Sequence, residues 1–156
     1  MTIELKPNYL DIVQACRCTH VRRISRVITN IYDEALKGIG LKSTQFTLLV
    51  AIALSKASKL TDVANLLFMD LTTLTRSVQR LEKNNLVKLE FDESDRRNRL
   101  VSVTEIGQKK LIEAIPLWKQ AQEEVAKVFG KDTIETFMDN LNQLAENYQN
   151  KSLNLS

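Results

Sequence analysis

Between residues 60 and 99 the hydrophobic period of this chain switches once, from helical to alternating, and the switch leaves few folds open to it. Leu71, Leu74, Val78 and Leu81 recur every three or four residues, so residues 70–83 are predicted as a helix that docks this stripe on a core. Residues 86–91 then alternate as a strand and residues 100–103 return as a second one. The tip between them, residues 92–99, is polar and too long for a two-residue turn. Upstream, Leu60, Val63, Ala64 and Leu67 mark the inner side of a short helix only a few residues before the next. Two short helices so joined form a helix-turn-helix, and here a hairpin follows directly.

The side chains left outward on the second helix carry the chemistry. Thr72, Thr73, Thr75, Arg76, Gln79 and Arg80 offer hydroxyl, amide and guanidinium groups that can bond base edges and phosphate oxygens. Asp70 is placed to cap the helix by accepting the free amide of Thr73, which presents the positive helix end where phosphate binds. Asn84 and Asn85 close the helix, since Asn tolerates the left-handed conformation. On the hairpin tip, Arg96, Arg97 and Arg99 suit the narrow minor groove, with Asp95 placed to brace a guanidinium by a salt bridge. Alone, the helix pair reads equally as a solvated helical hairpin, and the arginine-rich tip reads as the ordinary charged turn that most such turns are. Their direct succession points to a grip on double-stranded DNA.

Composition agrees. The 156 residues, 44% hydrophobic, suffice for one substantial core, and only four Gly and two Pro favour a mainly helical chain. A net charge of +3 is too small for non-specific coating of nucleic acid, so DNA contact must come from local patches. Residues 72–103 hold seven bases against five acids, whereas residues 131–156 hold two bases against four acids. No signal peptide and no apolar run approaching the ~18 residues of a membrane span is present, so the expected location is cytoplasmic. One His, no Gly-rich phosphate loop, no His-Glu-x-x-His pattern and no nucleophile elbow argue against an enzyme, and no cofactor or metal is expected.

An amphipathic helix is predicted over residues 10–36, closed by Lys37-Gly38-Ile39-Gly40, and Ser43 or Thr44 is expected to cap the next. After the hairpin, apolar positions continue at helical spacing to Gly130 and again over residues 132–148. The organisation expected is therefore an N-terminal dimerisation helix (1–42), a winged helix-turn-helix (43–104) and C-terminal dimerisation helices (105–156). Terminal amphipathic helices without a partner would leave apolar surface in water, which favours a homodimer over one self-contained globule. Two recognition helices would then read a pseudo-palindromic site. His20 and Trp118 read as structural residues rather than ligand contacts.

Cys16 and Cys18 do not form a disulfide framework, and with one His they lack a zinc ligand set. A thiol beside Arg17, Arg22, Arg23 and a helix start is open to oxidation, although most free cysteines only fill apolar space.

Several separated motifs, Leu67-Phe68-Met69-Asp70-Leu71-Thr72-Thr73-Leu74-Thr75-Arg76, Leu81-Glu82, Leu86-Val87, Asp95-Arg96-Arg97 and Val103-Thr104-Glu105-Ile106-Gly107, occur in an order and spacing that resemble the MarR family of bacterial winged-helix transcription regulators. One departure is Asn85, where that family usually has Gly. The resemblance implies a dimeric regulator, usually a repressor, that binds a small phenolic or anionic ligand in the cleft between dimer helices and reader. It also places Cys18 at the reactive cysteine of the hydroperoxide-sensing branch and Tyr32 at a tyrosine that bonds it across the dimer. Arg22 stands where that branch has its other tyrosine. The function expected is DNA-binding repression relieved by a ligand or by thiol oxidation, against a winged-helix antirepressor that does not bind DNA.

Overall fold

Helical periodicity carries most of the chain into seven helices: α1 (Tyr9–Ala15), α2 (Arg17–Leu36), α3 (Ser43–Ala53), α4 (Leu60–Leu66), α5 (Leu71–Lys83), α6 (Glu105–Phe129) and α7 (Lys131–Leu153). The strands β1 (Ser58–Lys59), β2 (Val87–Phe91) and β3 (Arg99–Val103) form one antiparallel sheet in the order β1-β3-β2. The structure is a computed structural model that describes residues 9–54 and 56–153, with side chains described as far as residue 148. The first eight residues of the expected N-terminal segment and the last three of the C-terminal one lie outside the described residues. The expected fold class holds: the chain is mainly α with a hairpin wing, β2 and β3 pairing from Val87↔Val103 to Phe91↔Arg99. The two-residue strand β1, which pairs Ser58 with Val101, had no sequence signal because it is too short to show alternation.

Three helix ends close by one device and set the corners of the reading region. Gly40, Phe68 and Asn85 take left-handed backbone angles, with φ of 68°, 53° and 57°. At each, the left-handed residue and its successor donate back to the last helical turn. Gly40 and Leu41 bond the Lys37 and Leu36 carbonyls, Phe68 and Met69 those of Asn65 and Ala64, and Asn85 and Leu86 those of Glu82 and Leu81. This paired arrangement satisfies carbonyls the helix leaves free and turns the following apolar residue inward. Leu41 and Leu86 are buried, and Met69 packs on the core. Asn85 behaves as its residue type predicts. Phe68 does not, because a phenylalanine in this conformation carries roughly 1 kcal/mol of strain and gives no sign of it in the sequence.

The core these corners enclose includes Leu36, Leu49, Ile52, Leu74, Leu81 and Val101, all at 0% exposure. Each buried side chain of this kind contributes about 1.5–3 kcal/mol relative to exposure. Leu71 departs from the expected stripe: at the first position of α5 it lies beyond the reach of the core and is 47% exposed.

The predicted helix over residues 10–36 is two helices. Cys16 takes an extended conformation (φ −72°, ψ 107°) that ends α1 and begins α2. No Gly or Pro marks the break. The carbonyl of Gln14 is met by the ring Nε2 of His20 at 2.6 Å, so the imidazole of α2 replaces part of what the interrupted ladder loses. The start of α3 also differs from expectation. Its N-cap is Lys42 rather than Ser43 or Thr44, and Ser43 donates its N–H to Asp33 of α2 at 2.7 Å. The Gln45 side chain in turn accepts from the Lys42 N–H at 2.9 Å. Asp33 thereby caps a helix from a neighbouring one.

Thr104 joins the wing to α6. Its hydroxyl donates to the Asn85 carbonyl at 2.6 Å and accepts from the Gly107 N–H at 3.0 Å, while its own N–H donates to Leu86. A Cβ at Gly107 would collide with the Leu86 carbonyl oxygen and with Val103, so only glycine allows α6 to lie this close to the wing root. Pro116 stays inside the unbroken α6, where it withholds one backbone N–H.

Candidate nucleic-acid interface

The helix-turn-helix is α4, the Phe68 turn and α5. Asp70 caps α5 as expected, its Oδ1 accepting from the Thr73 N–H at 2.8 Å. The Thr73 side chain, then its N–H, hold the Asp70 carboxyl below the usual carboxylate range, so the cap is charged wherever the protein is folded at neutral pH. With Leu74, Val78 and Leu81 buried, Thr72, Thr73, Arg76, Gln79, Arg80 and Lys83 are exposed. Thr75 is only half-exposed, and its hydroxyl donates to the Leu71 carbonyl at 2.7 Å, which leaves it less free for a ligand than its neighbours.

The wing tip is ordered by two aspartates. Asp92 accepts from the Ser94 N–H at 2.9 Å and from its hydroxyl at 2.6 Å, and these bonds, the hydroxyl first, lower its pKa. Asp95 accepts from the Arg97 N–H at 3.1 Å and from the Asn98 amide at 3.2 Å. The expected salt bridge from Asp95 is loose, with Arg97 Nε 4.0 Å from Oδ1 and the arginine side chain 95% exposed. Asp95 therefore fixes the backbone that carries Arg97 and leaves the guanidinium itself in solvent. Arg99 behaves differently, its guanidinium carbon lying 4.9 Å from the centre of the exposed Phe91 ring. Arg96 is exposed beside Phe91, Asp92 and Glu93.

A second feature lies behind the recognition helix. A cleft of about 620 Å³ opens between α2, the start of α3, α5 and α6. Phe46 and Trp118 supply its aromatic wall, ring centroids 6.4 Å apart, and Lys42, Tyr32 and Arg80 reach its lining. The Tyr32 hydroxyl donates to Gln122 Oε1, tying α2 to α6, and burial raises the pKa of this phenol. Asp33 pairs with Lys42 at 3.3 Å beside the cleft. Burial opposes its charge, but the Ser43 N–H and hydroxyl and Lys42 together outweigh that and hold its pKa below the usual range.

The thiol residues sit elsewhere. Cys16 is half-exposed at the head of α2 and Cys18 is exposed two residues on; both are free. The Thr19 hydroxyl and then the Thr19 N–H lower the Cys16 pKa, with smaller help from the Cys18 N–H and Arg22. Cys18 and Tyr32 are about 21 Å apart along the helix, so one copy of the chain does not bring them together. Among the described residues no group of three or more His, Cys, Asp or Glu could hold a metal ion, and no helix is long and apolar enough to cross a membrane.

Comparison with known proteins settles the lineage. The MarR family model matches residues 39–98, the stretch from the Gly40 corner through the wing tip. The M. tuberculosis transcriptional regulator MOSR, solved in complex with DNA, superposes with a TM-score of 0.73 at 33% identity, covering 84% of this chain and 96% of that one. This chain belongs to the MarR family. Its relatives include the HTH-type transcriptional regulator SarZ of Staphylococcus epidermidis, 35% identical over 83 residues. That match covers 53% of this chain and spans little more than half, 56%, of SarZ. A mutant of E. coli MarR complexed with operator DNA shares the fold at a TM-score of 0.77 and 21% identity, covering 89% of this chain and 99% of that one. MarR family members are transcriptional regulators and not enzymes, and the fold described above is theirs.

Proposed function

We propose that this MarR-family chain is a sequence-specific DNA-binding repressor that acts as a homodimer and is released by a small phenolic or anionic ligand. The observation that carries the reading is α5: capped by Asp70, buried on one side, it offers Thr72, Thr73, Arg76 and Gln79 to solvent with an arginine-tipped wing beside it. That arrangement can read base edges in a major groove while Arg96, Arg97 and Arg99 meet the adjacent minor groove or backbone. The DNA complexes solved for MOSR and for MarR support the same use of the fold here.

The dimer reading follows from apolar side chains left in water. Leu10, Ile12 and Val13 of α1 are 62%, 57% and 49% exposed, and Val128 and Leu144 near the other chain end are 59% and 66% exposed. Covering them with a second copy assigns residues 1–42 and 105–156 to dimerisation and residues 43–104 to DNA. Two α5 helices about 34 Å apart then fit a pseudo-palindromic operator. The cleft is the ligand site in this reading, because it joins an aromatic wall to cationic groups next to the recognition helix.

One further observation supports release by oxidation as a second route: Cys16, at the N-cap position of α2, has a thiol whose pKa is lowered, chiefly by Thr19, with Cys18 and Arg22 adding to the effect. Peroxide treatment followed by DNA binding tests it, and an unchanged affinity rejects it. The principal reading is tested by gel shift against the protein's own promoter region. Arg97→Glu should abolish the shift, and Arg76→Ala should weaken it by about 1–3 kcal/mol with relaxed preference at one base pair if it reads a guanine. A protein that shifts no duplex, alone or from a selected pool, is the antirepressor instead.

A further inference from the structure

The wing carries a phenylalanine that neither the core nor the DNA reading uses. Phe91, the last residue of β2, is 61% exposed. Single apolar side chains at a surface are common, so exposure alone says little. Its register says more. Phe91 stands directly opposite Arg99 in the β2–β3 ladder, so the two side chains leave the same face of the sheet. That face is the inner one, because Val87, Leu89, Val101 and Val103 lie on it at steps of two and turn to the core. Phe91 and Arg99 form the first pair on it beyond the core. On the tip side the Asp92 N–H donates to the Asn98 carbonyl at 3.1 Å, so the backbone of the pair is fixed from both directions.

The guanidinium carbon of Arg99 lies 4.9 Å from the centre of the Phe91 ring, within range of the attraction between a cation and the negative face of an aromatic. No carboxylate takes its place. Among the described residues Arg99 makes no ion pair: Glu90 is held by Lys88 at 2.9 Å, and Asp95 lies nearest Arg97. The choice of partner decides what Arg99 can still do. A carboxylate would occupy N–H donors of the guanidinium, whereas a ring attracts the charge and leaves those donors to bond elsewhere.

We propose that Phe91 is a positioning residue for DNA binding: its ring holds Arg99 at the root of the wing with its donors open, and Arg99 takes a phosphate oxygen of the duplex. The proposal rests on the DNA-binding reading given above. A guanidinium held at the wing root cannot follow the tip into a groove, so the backbone is what it meets. Arg99 and Arg97 thereby divide the work. Arg97, free in solvent, is left to enter the groove, while Arg99 anchors the wing on any sequence alike. Holding Arg99 in place before DNA arrives removes rotamer freedom that binding would otherwise cost.

The experiment measures DNA affinity and its salt dependence for full-length wild type, Phe91→Leu, Phe91→Trp, Arg99→Gln and the double variant Phe91→Leu/Arg99→Gln. The probes are a duplex enriched by the wild type from a random pool and a scrambled duplex of the same composition. Arg99→Gln should weaken binding to both duplexes alike and lower the slope of log affinity against log salt by about one. Phe91→Leu keeps an apolar side chain without the ring, and should weaken both by about two- to fivefold. Phe91→Trp should stay within about twofold of wild type, because the larger ring holds a cation at least as well. In the Arg99→Gln background, Phe91→Leu should change affinity by less than about 1.5-fold. An equal Phe91→Leu loss in both backgrounds overturns the proposal, since the ring then acts on DNA or on the fold by itself. Wild-type affinity in Phe91→Leu also overturns it, as does an Arg99→Gln loss confined to the enriched duplex, which would make Arg99 a base reader. A wild type that enriches no duplex overturns the DNA reading itself, and the proposal falls with it.

Discussion

The reading region and the chain ends are built to opposite rules. From Leu36 to Val101 the helices and strands close over side chains at 0% exposure, and the corners at Gly40, Phe68 and Asn85 are pinned by backbone hydrogen bonds. Helix α1 buries nothing, α2 buries only Leu36, and Ile134 is the sole buried residue of α7 among its described side chains. The reader is thus complete within one chain, whereas the arms present apolar surface without a cover. The lesson is that one core stabilises the fold, while the arms keep an apolar surface that the proposed dimer would cover.

The sharpest way to break that contrast is at Gly107, where the reader is tightest. Gly107→Ala forces a methyl group into the Leu86 carbonyl, and urea denaturation should show a loss of about 3 kcal/mol or more. Leu49→Ala should cost about 2–5 kcal/mol by the same measurement, since Leu49 is fully buried and its truncation leaves a cavity in the core. The arms predict a different readout. Ile12→Asp should leave the stability of the reader within about 0.5 kcal/mol but move sedimentation toward a monomer. A monomeric wild type, or an Ile12→Asp variant as unstable as Leu49→Ala, would erase the distinction between the two regions.

Smaller effects sharpen the boundary between them. Asp33 ties α2 to α3 and its folded pKa is lowered, so it stabilises the folded state at pH values above its unfolded pKa. That contribution is lost as pH falls through the lower, folded value. Asp33→Asn should therefore melt below wild type at neutral pH, and the gap should close in strongly acidic buffer; a gap independent of pH would rule out the charge as its source. Smallest of all, Phe68→Gly should raise stability by about 0.5–1 kcal/mol by removing left-handed strain at a half-exposed site. A loss instead would mean that the ring makes a contact worth more than the strain.

How far the sequence foretells this molecule depends on whether the cause is local. The Asp70 cap, the Asn85 turn and the two wing strands are legible because each follows from residue type and period within a few positions. The capping of α3 by Asp33 is not, because it comes from another helix, and the Phe68 turn and the break at Cys16 are not, because neither falls on a residue type that marks such a conformation. The candidate DNA face divides the same way. Periodicity separates the buried side of α5 from its polar residues but cannot separate Arg76 from Arg80, since that depends on which side another part of the chain leaves open.

The joint at Thr104 makes the wing a lever. Its hydroxyl and Gly107 fasten α6 to the root of β2 and β3 with no slack, so the two strands and the first turn of α6 move as one piece. Five residues of strand at about 3.4 Å each give an arm of roughly 17 Å. A rotation of only about 10° at that joint therefore sweeps the arginine tip through about 3 Å, the length of one hydrogen bond.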